Sequence, residues 1–238
     1  MLSFDDRVKN YGYQMTVNEE ELVDYITTHK EEVSQIKIVV LAEELDIATN
    51  TITRFCHKLN YESFSELKHR LKDETTKGVN NDYQNILNKN FDLIDPEREE
   101  KAVRFMSNAK KVNFYALDQT SLLLRVSAKT FFAHDDKFRF HEYQSDIKRR
   151  IELGYNEIFF FVSLTGESDS VIEMARYAKN KGHKVISLTN LSDNTLSKIS
   201  DITLFCYTLD EKTNDYDTTD KTPVMIILHS LYLAYCKK

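Results

Sequence analysis

The chain has 238 residues, 41% of them hydrophobic and 29% charged, with five glycines, two prolines and no tryptophan. So few Gly and Pro exclude collagen-like, low-complexity and multi-turn all-β chains, and the length allows one large domain or two small ones. Lys and Arg number 32 against 38 Asp and Glu, a net charge of −6 that speaks against a nucleic-acid partner without excluding one, since only the contacting face must be basic. The three cysteines, Cys56, Cys206 and Cys236, are an odd number with no C-x-x-C pair. Neither a disulfide framework nor a structural zinc site is therefore expected. Met1-Leu2-Ser3-Phe4-Asp5-Asp6-Arg7 lacks a signal-peptide pattern. The most apolar stretches, residues 158–162 and 224–235, fall short of the ~20 residues that span a membrane. The chain reads as soluble and cytoplasmic, with no membrane partner.

Residues up to about Thr76 read as short helices with brief breaks. Asn18 with Glu21 has capping-box spacing, and Leu22, Tyr25 and Ile26 recur at helical period through His29. Further helices are expected over residues 37–45, 49–59 and 63–72, that over 49–59 with Ile52, Phe55 and Leu59 on one face. The polar run Lys77-Gly78-Val79-Asn80-Asn81 is taken as a linker. Beyond it helices fit residues 83–91 and 96–108, the latter with Pro96 at its start. Strands at 112–117, 138–140, 157–163, 184–189 and 202–207 then alternate with helices at 120–132, 146–153, 168–181, 195–199 and 223–236. Gly182 is a C′ glycine, and the charged segment 210–221 reads as a flexible surface loop. Alternating strands and helices predict a parallel sheet covered on both faces.

Two helices joined by a short turn, the second polar outside, describe a helix-turn-helix over residues 37–45 and 49–59. The second helix offers Thr49, Asn50, Thr51, Thr53, Arg54, His57 and Lys58, the hydroxyl, amide and cationic groups that base edges and phosphates require. From Thr49 to Lys72, five basic residues (Arg54, Lys58, Lys68, Arg70, Lys72) oppose Glu62 and Glu66, whereas the first 48 residues are strongly acidic. A plain helical bundle with a solvated polar face fits the same spacing. The run from Leu41 to Phe64, with Thr51-Ile52-Thr53-Arg54-Phe55 and then Phe64-Ser65-Glu66-Leu67-Lys68, resembles the DNA-binding domain of RpiR-type transcriptional regulators. Ala48 departs from that family's Ser N-cap, and Asn60 from its Gly after the helix.

In the second half, Ser163-Leu164-Thr165-Gly166-Glu167-Ser168 lies between the strongest strand and a helix. Hydroxyls and free N–H groups at a helix N-terminus suit a phosphate, past the strand end where open α/β sheets bind ligands. A capped strand–helix turn with Ser168 as N-cap is the plainer alternative. Residues 161–168, followed by Ala175, Ala178-Lys179, Gly182 and Val185-Ile186-Ser187-Leu188-Thr189, resemble the SIS (sugar isomerase) domain, which RpiR-type regulators carry behind their helix-turn-helix.

The two resemblances imply an all-α helix-turn-helix domain over residues 1–77 and an α/β SIS domain over 82–238. They imply a transcriptional regulator binding a double-stranded DNA operator and a sugar phosphate or related effector. They also imply a homodimer with no cofactor, metal or catalytic role. Ser163, Thr165, Gly166 and Ser168 inherit the phosphate loop, and Thr120 keeps a hydroxyl in the turn after the first strand. That turn, Ala116-Leu117-Asp118-Gln119-Thr120-Ser121, has lost the glycines of the family, and Asp118 puts a carboxylate there. Two rival functions follow: an SIS isomerase, for which Glu167, His134, His141 and Glu142 are acid–base candidates by type, and a ligand-free DNA-binding dimer.

Overall fold

A computed structural model describes residues 2–76 and 83–238, so the expected linker lies outside the described residues. The chain divides into two compact units, Met1–Asn85 and Ile86–Lys238.

The first unit is all helical: α1 (Phe4–Tyr11), α2 (Val17–Thr28), α3 (Lys30–Val33), α4 (Ile38–Glu44), α5 (Thr49–Lys58) and α6 (Phe64–Thr76). The sequence pattern misses α1 and α3. α3 has four residues, too few to show a period, but α1 carries its own signal. Ser3 and Asp6 form a capping box there, and Phe4 and Tyr11, two turns apart on one face, are buried. The capping box of α2 falls on Thr16 and Glu19, not on Asn18, because Thr16 has the extended backbone an N-cap needs. Leu22, Ile26, Val33, Leu41, Ile52, Phe55, Leu67 and Leu71 make up a fully buried core.

Two local stops set the turn and the end of α5. After α4, Asp46 takes φ +50°, its N–H donates to Glu43 and that of Ile47 to Ala42. After α5, Asn60 takes φ +60°, its N–H donates to His57 and that of Tyr61 to Cys56. Both are Schellman stops, in which a left-handed residue folds the next N–H groups back onto orphan carbonyls. Asn60 thus does the work expected of glycine.

In the second unit, α7 (Tyr83–Asp92, its first residues counted with the first unit) and α8 (Pro96–Asn108) precede β1 (Lys111–Ala116), α9 (Asp118–His134) and β2 (Phe138–His141). Then come α10 (Gln144–Leu153), β3 (Glu157–Val162), α11 (Asp169–Asn180), β4 (Lys184–Asn190), α12 (Thr195–Ile199) and β5 (Ile202–Cys206). A small hairpin of β6 (Lys212–Thr213) and β7 (Tyr216–Asp217) leads to α13 (Thr222–Cys236). The hairpin corrects the expectation of a featureless loop over 210–221: Asn214 and Asp215, both at positive φ, close its two-residue turn.

Strands pair in parallel in the order β2-β1-β3-β4-β5. All six residues of β3 are buried, as expected of a central strand covered on both faces. Phe114, Phe160 and Ile186 face a core with residues of α8, α9 and α13, while Tyr115, Phe161 and Val185 face α10, α11 and α12. α11 ends on Gly182 at φ +81°, with His183 N–H returning to Ala178, a third Schellman stop. The apolar α13 spends most of its surface within this core: Val224, Ile227, Leu228, Leu231 and Tyr235 are buried, while Leu233 is 46% exposed.

Candidate functional site

Helices α4 and α5 hold the helix-turn-helix. The small Ala42 of α4 is buried, and Ile52, Phe55 and Cys56 of α5 face the unit's core. Burial pushes the Cys56 thiol up to about 12, so it is an inert part of that core. The opposite face presents Asn50, Arg54 and His57 as exposed residues, with Thr49, Thr51, Thr53 and Lys58 half-buried. Ala48 occupies the N-cap and supplies no side-chain acceptor, and Thr49 does not take over. Thr51 N–H turns to the Ala48 carbonyl at 2.9 Å, and the N–H groups of Thr49 and Asn50 keep the orphan character of a helix N-terminus, where phosphates are received.

The five basic side chains of this segment differ in what they touch. Lys58 pairs with Glu19 at 2.8 Å and donates to the Gln14 carbonyl. Arg70 pairs with Glu66, and Lys68 reaches the Gln35 carbonyl. Arg54 is exposed with no ion-pair partner among the described residues. Thr53 folds back onto the Thr49 carbonyl and His57 Nδ1 lies 3.2 Å from the Tyr61 carbonyl. Asn50, Thr51 and Arg54 thus form the open part of the surface.

A residue absent from the expected set stabilises this helix. Arg7 of α1, 8% exposed, donates to the carbonyls of Leu59 and Asn60 and lies over the Tyr61 ring at 4.3 Å. A cation on the last carbonyls of a helix also meets the negative end of its dipole. In the sequence Arg7 is one charge among Asp5, Asp6 and Lys9, and nothing there marks its partners more than fifty residues away.

The second site arises from the sheet. The order β2-β1-β3 reverses direction at β1 and β3, the topological switch point where open α/β sheets bind ligands. Ala116 and Val162, the last residues of those strands, are paired, so the turn from Leu117 and the loop from Ser163 leave side by side. Thr120 with the first turn, and Ser163, Thr165, Gly166 and Ser168 with the second, are thus gathered at one edge.

In the second loop Ser163 is buried and Ser168 half-buried, and neither hydroxyl has a hydrogen bond among the described residues. Ser168 is the N-cap of α11 by backbone position but makes no side-chain cap bond, so the plain capped turn does not use it. Thr165 accepts from the Glu167 N–H at 3.2 Å. Gly166 takes φ +67°, and a Cβ there would meet Asn194 Oδ1 at 2.1 Å. Its carbonyl accepts from Leu196 N–H, so the loop is seated against the start of α12. Asn194, capping α12 at the Ser197 N–H, is a site residue the motif reading misses; an Asn three positions before Ser197 is its sequence signal.

In the first loop the absent glycines have a physical replacement. Asp118 adopts φ +51°, the left-handed region glycine fills at no cost and Asp tolerates. Its carboxylate is exposed, its carbonyl accepts from Ser121 Oγ at 2.6 Å, and Gln119 Nε2 donates to the Asp217 carbonyl of the hairpin.

The acid–base candidates do not converge. Glu167 accepts from Thr195 N–H at 2.7 Å, which holds its carboxyl below the usual range. Glu142 pairs with Arg125, and His134 stands exposed against the rings of Tyr232 and Tyr235. His141 Nε2–H donates to Asn113 Oδ1 at 2.9 Å, and burial lowers its pKa. Among the described residues no cluster of three His, Cys, Asp or Glu could hold a metal. No described helix is long and apolar enough to cross a membrane.

Family models agree with both units: a helix-turn-helix domain of the rpiR family matches residues 3–78, and a SIS domain matches residues 105–234. Among similar sequences, an HTH-type transcriptional regulator of Caldanaerobacter subterraneus is 26% identical over 83% of this chain and 78% of its own length. GlvR, an HTH-type transcriptional regulator of Bacillus subtilis, is 21% identical over 98% and 95%. Among solved structures, Vibrio vulnificus NanR complexed with ManNAc-6P has a TM-score of 0.60 at 19% identity, covering 97% of this chain and 90% of that one. The sugar isomerase domain of an RpiR transcription factor from Sphaerobacter thermophilus has a TM-score of 0.53 at 16% identity, covering 65% and 85%. These likenesses show the fold. With the SIS model matching more than half of the sequence and the helix-turn-helix model taking in the first unit, the chain belongs to the rpiR family of helix-turn-helix transcriptional regulators that carry a SIS domain.

Proposed function

We propose that this regulator binds a double-stranded DNA operator through α5 and changes its operator affinity when a sugar phosphate occupies the crevice between the β1 and β3 loops. In this reading residues 1–77 form the DNA-binding part and residues 82–238 the sensing and dimerising part of a cytoplasmic homodimer. The observation that carries it is the pair of unpartnered hydroxyls, Ser163 and Ser168, at the switch point beside the orphan N–H groups of α11. Hydroxyls and a helix N-terminus recognise an anion without a lysine. NanR, with a similar fold, is complexed with ManNAc-6P, which makes that compound the first probe.

Sensing is favoured over turnover because the one carboxylate in the loop, Glu167, is held ionised by the Thr195 N–H. A general base for sugar isomerisation works best with a pKa near the operating pH. A homodimer accounts for the apolar outer face of α9, where Leu122, Val126 and Phe132 are about half exposed or more. Two copies present two recognition helices to a two-fold operator. An effector then acts by population shift, to the extent that it binds one dimer arrangement better than the other.

The test is a thermal-shift screen with ManNAc-6P and other phosphosugars, because a ligand that binds only the native state raises its stability. A rise lost in Ser163→Ala/Thr165→Ala supports the reading. Equal melting with and without every phosphosugar, for wild type and for Asp118→Gly, favours the ligand-free dimer instead.

A further inference from the structure

Two asparagines, Asn90 and Asn190, grip successive residues of the segment that leaves β5. Asn90 Oδ1 accepts the Tyr207 N–H at 2.7 Å, and Asn90 Nδ2 donates to the Tyr207 carbonyl at 2.9 Å. Asn190 Oδ1 accepts the Thr208 N–H at 3.0 Å, and its Nδ2 donates to the Thr208 carbonyl at 3.1 Å. Each side-chain amide thus mimics a peptide group of a neighbouring strand and satisfies both polar groups of one residue.

What these clips connect gives them meaning. Asn190 ends β4, and its backbone N–H donates to the carbonyl of Leu164, inside the hydroxyl loop, at 2.9 Å. At the other end, Asn90 belongs to α7, the helix through which the chain passes from residues 77–82 into the second unit. Of the ten residues of α7 only Asn90 is buried, and Phe91 and Tyr83 are more than half exposed. α7 is gripped by this amide clip and by Lys89 Nζ over the Tyr207 ring at 3.5 Å, and Asn90 is its one buried residue. A helix with a single buried residue opens more readily than one with a buried stripe. The path from Leu164 to Asn190, from Asn190 to Thr208 and from Tyr207 to Asn90 runs through hydrogen bonds, with the Tyr207–Thr208 peptide joining the last two.

We propose that this path couples the hydroxyl loop to α7. A change in the Leu164 peptide on effector binding moves Asn190, which resets the Tyr207–Thr208 backbone and tightens or releases the Asn90 clip. This rests on the reading of the loop as an effector site, but its first test needs no effector. Asn90 and Asn190 are positioning residues, since neither is required to touch the ligand.

The experiment is hydrogen–deuterium exchange of the full chain, reading the α7 amides of residues 86–92 in wild type, Asn90→Ala, Asn190→Ala and the double variant. Asn190 does not belong to α7, yet the coupling predicts that Asn190→Ala speeds α7 exchange about threefold or more, as Asn90→Ala does, with the double variant no faster than the faster single one. Unchanged α7 exchange in Asn190→Ala, or effects that multiply in the double variant, would overturn it. Asn190→Asp keeps the acceptor for Thr208 N–H but turns a carboxylate oxygen on the Thr208 carbonyl. It is expected to speed α7 exchange at least as much as Asn190→Ala, and wild-type exchange in Asn190→Asp contradicts the clip. Unchanged exchange of the β1 and β3 amides in each variant guards against a folding defect. A second arm adds ManNAc-6P at a concentration that raises wild-type melting. Altered α7 exchange in wild type and none in Asn190→Ala supports the path, whereas melting that rises with α7 exchange unmoved contradicts it. If ManNAc-6P leaves melting unchanged, the effector reading is what fails, and the variant arm still decides the coupling.

Discussion

Arg7, in the first helix of the chain, donates to the carbonyl of Leu59 at 3.0 Å across 52 residues, closing the C-terminal end of α5. The same guanidinium reaches the Asn60 carbonyl and covers the Tyr61 ring, so one side chain ties α1 to the stop after α5. Hydrogen bonds to a charged group contribute about 1.5–3 kcal/mol, and removing the donor leaves carbonyls short of partners. Arg7→Ala is expected to lower the stability of the first unit by roughly 2–4 kcal/mol. Arg7→Lys recovers only part, because a lysine lacks the planar fork. Chemical denaturation followed separately for the two units reads this, and an unshifted first transition would show that the contacts add nothing.

Arg54 and Lys58 lie four residues apart on α5 but have different surroundings. Arg54→Ala is expected to weaken operator binding by ~1–3 kcal/mol, the range for a base contact. Lys58→Ala, which breaks the Glu19 pair and the bond to Gln14, is expected to change stability more than affinity. Mobility shifts at fixed salt, on DNA selected by the protein from a random pool, separate the two. Equal losses of affinity would place both residues on the DNA.

Gly166 has no room for a side chain: a Cβ would meet the Asn194 carboxamide, and φ is +67°. Gly166→Ala is expected to destabilise the SIS unit by about 1–3 kcal/mol from backbone strain and the displaced Asn194. It should also remove any melting rise with phosphosugars. Gly182, with open space around its Cβ position and φ +81°, is the control, where Ala carries the conformational penalty alone. Equal losses at both positions would deny the close approach at Asn194.

Asp201 gives the expected acid dependence. Burial raises its pKa, but bonds from Lys179 (2.8 Å), Lys184 (2.9 Å) and the Val185 N–H (2.9 Å) together outweigh it, and the net shift is downward. A depressed carboxyl contributes stability above its unfolded pKa of ~3.9, and this is lost as pH falls through the folded value. Asp201→Asn should therefore be less stable than wild type at pH 7, with the gap closing below about pH 4. A gap that persists unchanged at acid pH would assign the loss to packing.

The order of strands and helices in the second unit is legible because β3 is an uninterrupted apolar run and the helices keep their period around it. Asn60 and Gly182 are legible as left-handed stops because their residue types favour that conformation. Asp46 and Asp118 adopt it too, but an Asp has several common uses and its φ leaves no mark in the sequence. The absent glycines after β1 therefore suggest a more altered turn than the structure has: the backbone bends as required with Asp118 in place. The hydroxyls of the β3 loop are visible in the sequence, whereas the Asn194 contact that seats the loop is fixed by tertiary packing. Charge behaves likewise. Five cations between Thr49 and Lys72 can be counted, but which are occupied depends on Glu19, Gln35 and Glu66 coming near.

A phosphosugar in the crevice is expected to change DNA affinity. A titration of ManNAc-6P into the 238-residue chain bound to its selected DNA, for wild type and Ser163→Ala/Thr165→Ala, measures this. A several-fold change in wild-type affinity at about 0.15 M salt, absent from the variant, is the result predicted. A response of equal size in both proteins would place the effector elsewhere and contradict the account.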